Sequence, residues 1–422
     1  MGRKRVIYQS EALFTKPANL HSSVGEADQL LRVQDISHGV ELNRQDVNEF
    51  GQLEAVERKI IEPPTVSLDF SYYLHGGRNE RLMDFALTTV RSGAVTTGLQ
   101  NSIKNFLSGD SGQNYYIGVS AEGTDAKDGV DTGVIGIGNG YITSYSVEAA
   151  VGDMPSASVS IEASNLEFST NVDAVPNPAL NTETGERLDS ATLDFPAAAD
   201  TGKTGDNDTN TQYNDWEYGC LRPGDVIIDF NDAGYVGPDT AGSPSGDGDI
   251  AGLGGAKLEG DGQCHIQNFT LDVPLSREAL TRLGSVHPYS REVETPINIT
   301  LSVSAFLGDI TEGNLNDILC DTSTRNIRIK MLEPCPDPAD GRRVAQEFLL
   351  KKASLDSQNF SASIGDNKTV DLVFSAQAGG ADSVDSGLFM WGATDDDENG
   401  EGTSVSDNFV FSETEGQENT DK

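Results

Sequence analysis

The stretch Asp395-Asp-Asp397-Glu-Asn399-Gly400 copies the first half of a calcium loop, which needs alternating oxygen ligands and a glycine at the sharp turn. Position twelve of such a loop takes a bidentate Glu, and here it holds Ser406, so an acidic polar segment is expected instead of a site. Asp206-Asn-Asp208 and Asp247-Gly-Asp249 lack the remaining ligands and read as polar loops. The five histidines (His21, His38, His75, His265 and His287) form no HxxxH or HExxH pair, and Cys220, Cys264, Cys320 and Cys335 form no CxxC pair. Free thiols of a reducing compartment are therefore expected. A nucleophile elbow, a phosphate-binding loop and a dinucleotide fingerprint are all missing, and no carboxylate pair stands out for glycoside hydrolysis. The expectation is a protein with no catalytic residue, no metal and no cofactor.

What does stand out recurs. Arg44 and Arg58 are matched by Arg277 and Arg291, each 233 positions on. Arg suits interface carboxylates, so these four are candidate contacts between subunits, with an ion pair inside one subunit or an exposed side chain as the plainer reading. Gly152-Asp153 is matched by Gly365-Asp366, 213 positions on, and these are candidate contact sites, with an ordinary hairpin turn as the plainer reading.

These residues sit in two segments that each occur twice, in the same order. In the first segment the offset of 233 pairs Gln34 with Gln267, Val40 with Val273, Leu42 with Leu275, Gly51 with Gly284, Leu68 with Leu301 and Leu74 with Leu307, without a gap. Ile36, Val40 and Leu42, like Phe269, Leu271, Val273 and Leu275, alternate as in a half-buried strand. Asn43 or Ser276 then reads as an N-cap, Val47 and Phe50 or Leu280 and Leu283 as a short helix, and Gly51 or Gly284 as its left-handed C-cap. A second strand follows, with Val66, Leu68, Phe70, Tyr72 and Leu74 on one face and Ser67, Asp69 and Ser71 on the other. The second segment reads as a hairpin around Gly152-Asp153 in one copy and Gly365-Asp366 in the other. The 20-residue difference between offsets is assigned to a Gly/Asp-rich loop insertion from about 108 to 140.

The resulting expectation is a mainly β protein of two tandem copies, each a β-sandwich or partial barrel with a short α-helix and a long β-hairpin. Residues 1–170 form the first domain with an N-terminal arm, 171–214 an acidic Pro/Gly-rich linker, 215–378 the second domain with an acidic loop insertion, and 379–422 an acidic flexible tail. Asp225-Val-Ile-Ile-Asp-Phe230 is assigned to the second domain as a strand. Over 422 residues the formal net charge is -38, which repels nucleic acid and anionic membranes. High-salt adaptation and repulsion of DNA are both physical explanations of that charge. No apolar run approaches a membrane span, and the opening residues lack the apolar core of a signal peptide, so export by that route is not expected.

The hairpin Tyr145-Ser-Val-Glu-x-x-Val-Gly-Asp-x-Pro-x-Ala-Ser-Val-Ser-Ile161, with Leu275-Ser-Arg-Glu-Ala-Leu-x-x-Leu-Gly284, Ser290-Arg-Glu-Val and Pro296-Ile-x-Ile-Thr-Leu-Ser302, resembles the tail tube (major tail) proteins of long-tailed bacteriophages. The resemblance covers about half the chain. It implies tail-tube-like β-sandwiches whose inner strands join those of neighbours into a closed barrel, with rings stacked into a hollow tube that delivers DNA. Two copies in one chain imply a pseudo-hexameric ring of three chains. Implied partners are further copies of the chain, other tail proteins such as terminator, baseplate or sheath, and genomic DNA passing without tight binding. The implied place is the virion tail, assembled in the host cytoplasm. The Gly152-Asp153 and Gly365-Asp366 turns then become candidate contacts between rings. Two alternatives are another virion protein, such as a capsid decoration, and a secreted carbohydrate-binding or adhesive module, for which only Trp216 and Trp391 are tryptophans.

Overall fold

A computed structural model describes residues 10–18, 27–87, 100–108, 112–122, 124–126, 130–181, 184–188, 193, 220–229, 264–284, 287–288, 290–307, 324–332, 344–361, 367 and 369–392. The chain is mainly β, as its alternating segments require. The first half contains β1 (Glu11–Pro17), β2 (Asp28–Gln29), β3 (Val33–Glu41), β4 (Arg44–Val47), β5 (Glu57–Ile60), β6 (Thr65–Tyr73), β7 (Gln113–Val119), β8 (Gly133–Ala150), β9 (Ser156–Ala163) and β10 (Asn165–Ser169). Two short helices, α1 (Arg78–Leu82) and α2 (Lys104–Ser108), lie between β6 and β7. The second half contains β11 (Val226–Asp229), β12 (Cys264–Pro274), β13 (Arg277–Leu280), β14 (Ser290–Val293), β15 (Asn298–Leu307), β16 (Arg325–Leu332), β17 (Val344–Ser361), β18 (Thr369–Gln377) and β19 (Gly387–Trp391).

All named strands that pair do so antiparallel. Eight run side by side in the order β3-β6-β9-β8-β12-β15-β18-β17, an inner sheet drawn equally from the two halves. The long strands β8 and β17 leave it at their N-terminal ends. There β8 pairs with β7 and β10, and β17 with β16 and β19, as an outer layer. The change of layer falls at Asn139 (φ 53°) and Lys352 (φ 57°), non-glycine residues in the left-handed region that bend the strand. Phe70 of β6 faces Tyr115 of β7 across the layers, with ring centroids 6.4 Å apart. One hydrophobic core runs through both halves, from Leu68 and Val159 to Leu301 and Phe374.

The offsets that align the sequence also align the ladders. Asp35 pairs with Ser71 and Asn268 with Ser304, each beyond a bulge, between Val33/Asp35 and between Ile266/Asn268. Ser144 pairs with Ser160 and Ser357 with Val373, again beyond bulges, at Ile142/Ser144 and Leu355/Ser357. Val66 pairs with Ala163 and Ile299 with Ala376. Asn139 and Lys352 are themselves 213 apart.

Several expectations are corrected. The helix after Asn43 or Ser276 is instead a β-hairpin: β4 pairs with β5, Arg44 opposite Ile60, and β13 with β14, Arg277 opposite Val293. Gly51 (φ 99°) and Gly284 (φ 92°) are left-handed, but in the loops of those hairpins. Val47 and Phe50, or Leu280 and Leu283, are single pairs three apart, too short a pattern to establish a helical period, and the ladder to a partner strand decides for extended backbone. The stretch from 108 to 140 is not simply an inserted loop, since it holds β7 and the start of β8. Its glycines serve close packing: a Cβ on Gly138 would stand 2.1 Å from the carbonyl oxygen of Pro178. The N-terminal arm contains β1, paired along its length with β7. The linker from 171 begins as packed structure, with Val175 and Leu193 bridged and buried against Phe14 and Tyr116. The tail from 379 is ordered to 392, because Leu388, Phe389, Met390 and Trp391 fill the core as β19. Residues 393–422, Asp206-Asn-Asp208, Asp247-Gly-Asp249, and the Gly365-Asp366 turn lie outside the described residues.

Candidate assembly interface

Within the inner sheet the two halves join along one seam, where β12 lies antiparallel on β8 from Asn268 opposite Ala150 to Pro274 opposite Ser144. Backbone bonds extend it at both ends, with Val151 N–H donating to Gln267 O at 2.9 Å and Leu275 N–H to Thr143 O at 2.9 Å. Ser146 Oγ donates to Asp272 Oδ1 across it at 2.6 Å.

Two of the four arginines picked out by the repeat act at this seam. The Arg277 guanidinium lies 4.8 Å from the centre of the Tyr141 ring, and its Nη2 donates to the Phe106 carbonyl at 3.2 Å. Arg291, buried, places Nη1 2.5 Å from Glu162 Oε1 and also lies over Tyr141. Arg277 Nη1 donates to Arg291 O at 3.0 Å, which ties the pair together. Tyr141, Phe106 and Glu162 all belong to the first half, so both arginines of the β13–β14 hairpin grip the opposite half.

Arg44 and Arg58 do not. Arg44 is exposed, and Arg58 pairs with Asp46 within its own hairpin, Nε 2.5 Å from Oδ1, with most of its side chain in solvent. That exposed Arg58 holds the Asp46 carboxyl below the usual carboxylate range through its hydrogen bond. Gly152 (φ 96°) and Asp153 form an exposed turn, where Asp153 N–H donates to Ala150 O.

The same contrast holds along the strands. β3 has no neighbour among the described residues except β6, and residues 354–361 of β17 have none except β18. Val273 on β12 is 1% exposed and its counterpart Val40 on β3 is 47% exposed. Leu275 is fully buried and Leu42 is 44% exposed. Phe360 on β17 is 46% exposed where Val147 on β8 is buried. Exposed large apolar residues also crowd the β4–β5 hairpin, among them Val47, Phe50, Leu53, Val56 and Ile60.

The outer face of the inner sheet has a chemistry of its own. Ser67, Asp69, Ser158, Ser160, Ser144, Ser146, Asp272, Thr300, Ser302 and Asp371 follow one another through the ladders, and no Lys or Arg occurs in β3, β6, β9, β12, β15, β18 or the inner-sheet parts of β8 and β17. Strand alternation in the sequence marks Ser67, Asp69 and Ser71 as a polar face but not its lack of basic residues. Counting basic residues within the alternating segments finds it.

A buried polar knot braces the inner sheet from below. Tyr72 and Tyr145 each donate a hydroxyl hydrogen bond, at 2.9 Å, to Glu80 Oε1 on α1. Burial, joined by the Glu80 charge, pushes both phenols well above their ordinary value. All three side chains are closed to solvent, so the knot is a brace inside the core and not a place for substrate. Among the described residues, no group of three or more His, Cys, Asp or Glu gathers to hold a metal ion, and no helix is long and apolar enough to cross a membrane. Trp391 is fully buried and cannot stack on a sugar, and Trp216 lies outside the described residues. No protein-family model matches the chain, and no curated protein matches it.

Proposed function

We propose that this chain is a structural protein of two copies of one β-unit that closes, three chains to a ring, into the stacked tube of a long-tailed phage, the conduit for its genome. The observation that carries this reading is the β8–β12 seam, which joins one half to the other while β3 and the end of β17 remain as the same two kinds of edge. Open edges with half-exposed apolar side chains are an aggregation hazard, and closure on identical neighbours removes it. Three chains bring three times eight inner strands, well past the roughly 16–18 at which a barrel leaves an aqueous channel.

The inner sheet buries its apolar face and leaves for the bore a face whose own strands carry no Lys or Arg, with Arg291 neutralised by Glu162 at one end. Each fixed cation on such a wall would release counterions and hold phosphate, so a wall of hydroxyls and carboxylates lets DNA slide. In this reading the tube sits in the virion tail after assembly in the host cytoplasm, and its ends meet other tail proteins such as terminator, baseplate or sheath. The test is negative-stain electron microscopy with mass photometry in moderate and high salt. Three-chain rings or hollow tubes are expected, and a strict monomer at every concentration and salt overturns the proposal.

A further inference from the structure

The inner-sheet parts of the two open edges carry one polar residue each on their otherwise core-directed faces. His38 stands on β3 opposite Leu68, where the counterpart on β12 is Leu271. Gln358 stands on β17 opposite Leu372, where the counterpart on β8 is Tyr145, whose hydroxyl is held by Glu80. Both amide atoms of Gln358, Oε1 and Nε2, are buried and have no hydrogen-bond partner within the chain. A buried amide left unpaired costs about 1–3 kcal/mol, so a polar partner from outside is called for.

Carrying the β8–β12 ladder over by the two offsets supplies one. Leu271 opposite Val147 becomes His38 opposite Phe360, and Val273 opposite Tyr145 becomes Val40 opposite Gln358. His38 and Gln358 are then diagonal neighbours on the same face, a spacing that long side chains bridge. In the same register Val40 and Phe360 cover each other's exposed apolar surface.

We propose that a second copy of this chain lays residues 357–361 of its β17 antiparallel on β3 in this one register, with Ser37 opposite Ser361, His38 opposite Phe360, Gly39 opposite Asn359 and Val40 opposite Gln358, and with the His38 ring paired to the Gln358 amide. The inference rests on the ring reading above and fixes its chain-to-chain contact. The test is oxidative cross-linking of the full chain carrying S37C and S361C, beside S37C with S357C and each single variant. Opposed Cβ atoms in an antiparallel pair lie within disulfide reach, whereas the S357C position is displaced by four residues, about 13 Å.

Chain-to-chain disulfides in S37C/S361C alone are expected. Rings or tubes that cross-link only in the displaced pair, or in neither, overturn this register and leave the tube reading standing. A protein that stays monomeric in every variant and in the wild type overturns both. Mass photometry adds a second measurement that does not depend on cysteine. H38L and Q358L singly are expected to weaken association about tenfold each, and the double variant to recover most of that loss because no polar group is then left unpaired. Additive losses in the double variant reject the His38–Gln358 contact.

Discussion

The β3 edge with its β4–β5 hairpin and the β12 strand with its β13–β14 hairpin are written in nearly the same pattern, yet one is exposed and the other is core. Both pair with an equivalent strand in the same register and with a bulge at the same place. What differs is the neighbour on the other side: β12 has β8, and β3 has none among the described residues. Apolar periodicity thus states which face a strand can bury, and an adjacent edge decides whether it is buried. The arginines follow the same rule, since Arg277 and Arg291 reach across a seam while Arg58 folds back on Asp46.

The largest expected effect tests that contrast at one methyl-rich side chain. Leu275→Ala should cost about 4 kcal/mol in urea denaturation of the monomer, as for a fully buried leucine, and Leu42→Ala well under about 1. Equal losses would show that β3 is already covered in the monomer. Next is a feature on the first-half side alone. His75 is buried between β6 and α1, and burial, together with the charges of Arg32 and Arg78, lowers its pKa from 6.5 to about 4 against the raising effect of its contact with the Tyr73 carbonyl. The unfolded chain takes up this proton first, so stability falls as pH drops through 6.5 and the loss is complete below about 4, worth about 3 kcal/mol. His75→Gln should remove that part of the pH dependence, seen as a smaller difference between urea midpoints at pH 7 and pH 4.5.

Arg291→Ala should cost about 2 kcal/mol, less than a fully buried pair because Glu162 is partly exposed, while Arg58→Ala leaves the urea midpoint unchanged. A similar loss for both would erase the distinction between seam and open edge. The smallest effects have opposite signs. Asn139→Gly loses the hydrogen bonds its side chain makes with the Leu180 backbone and should destabilise by about 1 kcal/mol. Lys352→Gly relieves a left-handed residue and should stabilise by about 0.5 kcal/mol after the entropy of glycine is counted. Thermal melts of the two variants check the pair.

Much of the inner sheet was legible in the sequence. Alternation in Val66–Leu74 and Ile299–Leu307, and the hairpin readings around Gly152-Asp153 and Gly365-Asp366 in the sequence, mark β6, β15, β8–β9 and β17–β18 because each strand has one apolar and one polar face. The outer layer was hidden for a physical reason. β7 and the start of β8 carry glycines where another backbone approaches closely, and that composition reads as loop. β19 was hidden by its acidic surroundings, although four consecutive apolar residues marked it. The seam contacts of Arg277 and Arg291 were half visible: the recurrence named the arginines, but Tyr141, Glu162 and Phe106 lie more than a hundred positions away and carry no local signal.

The left-handed residues Asn139 and Lys352 allow one continuous backbone to belong to both layers of the sandwich. Each 18-residue strand is about 60 Å of extended chain. A pull on the inner sheet therefore passes to the outer layer through covalent bonds as well as through contacts between side chains. Separating the layers by tension along such a strand requires its flanking ladders to shear together, so the two layers resist stretching as a single fabric and not as two sheets laid face to face.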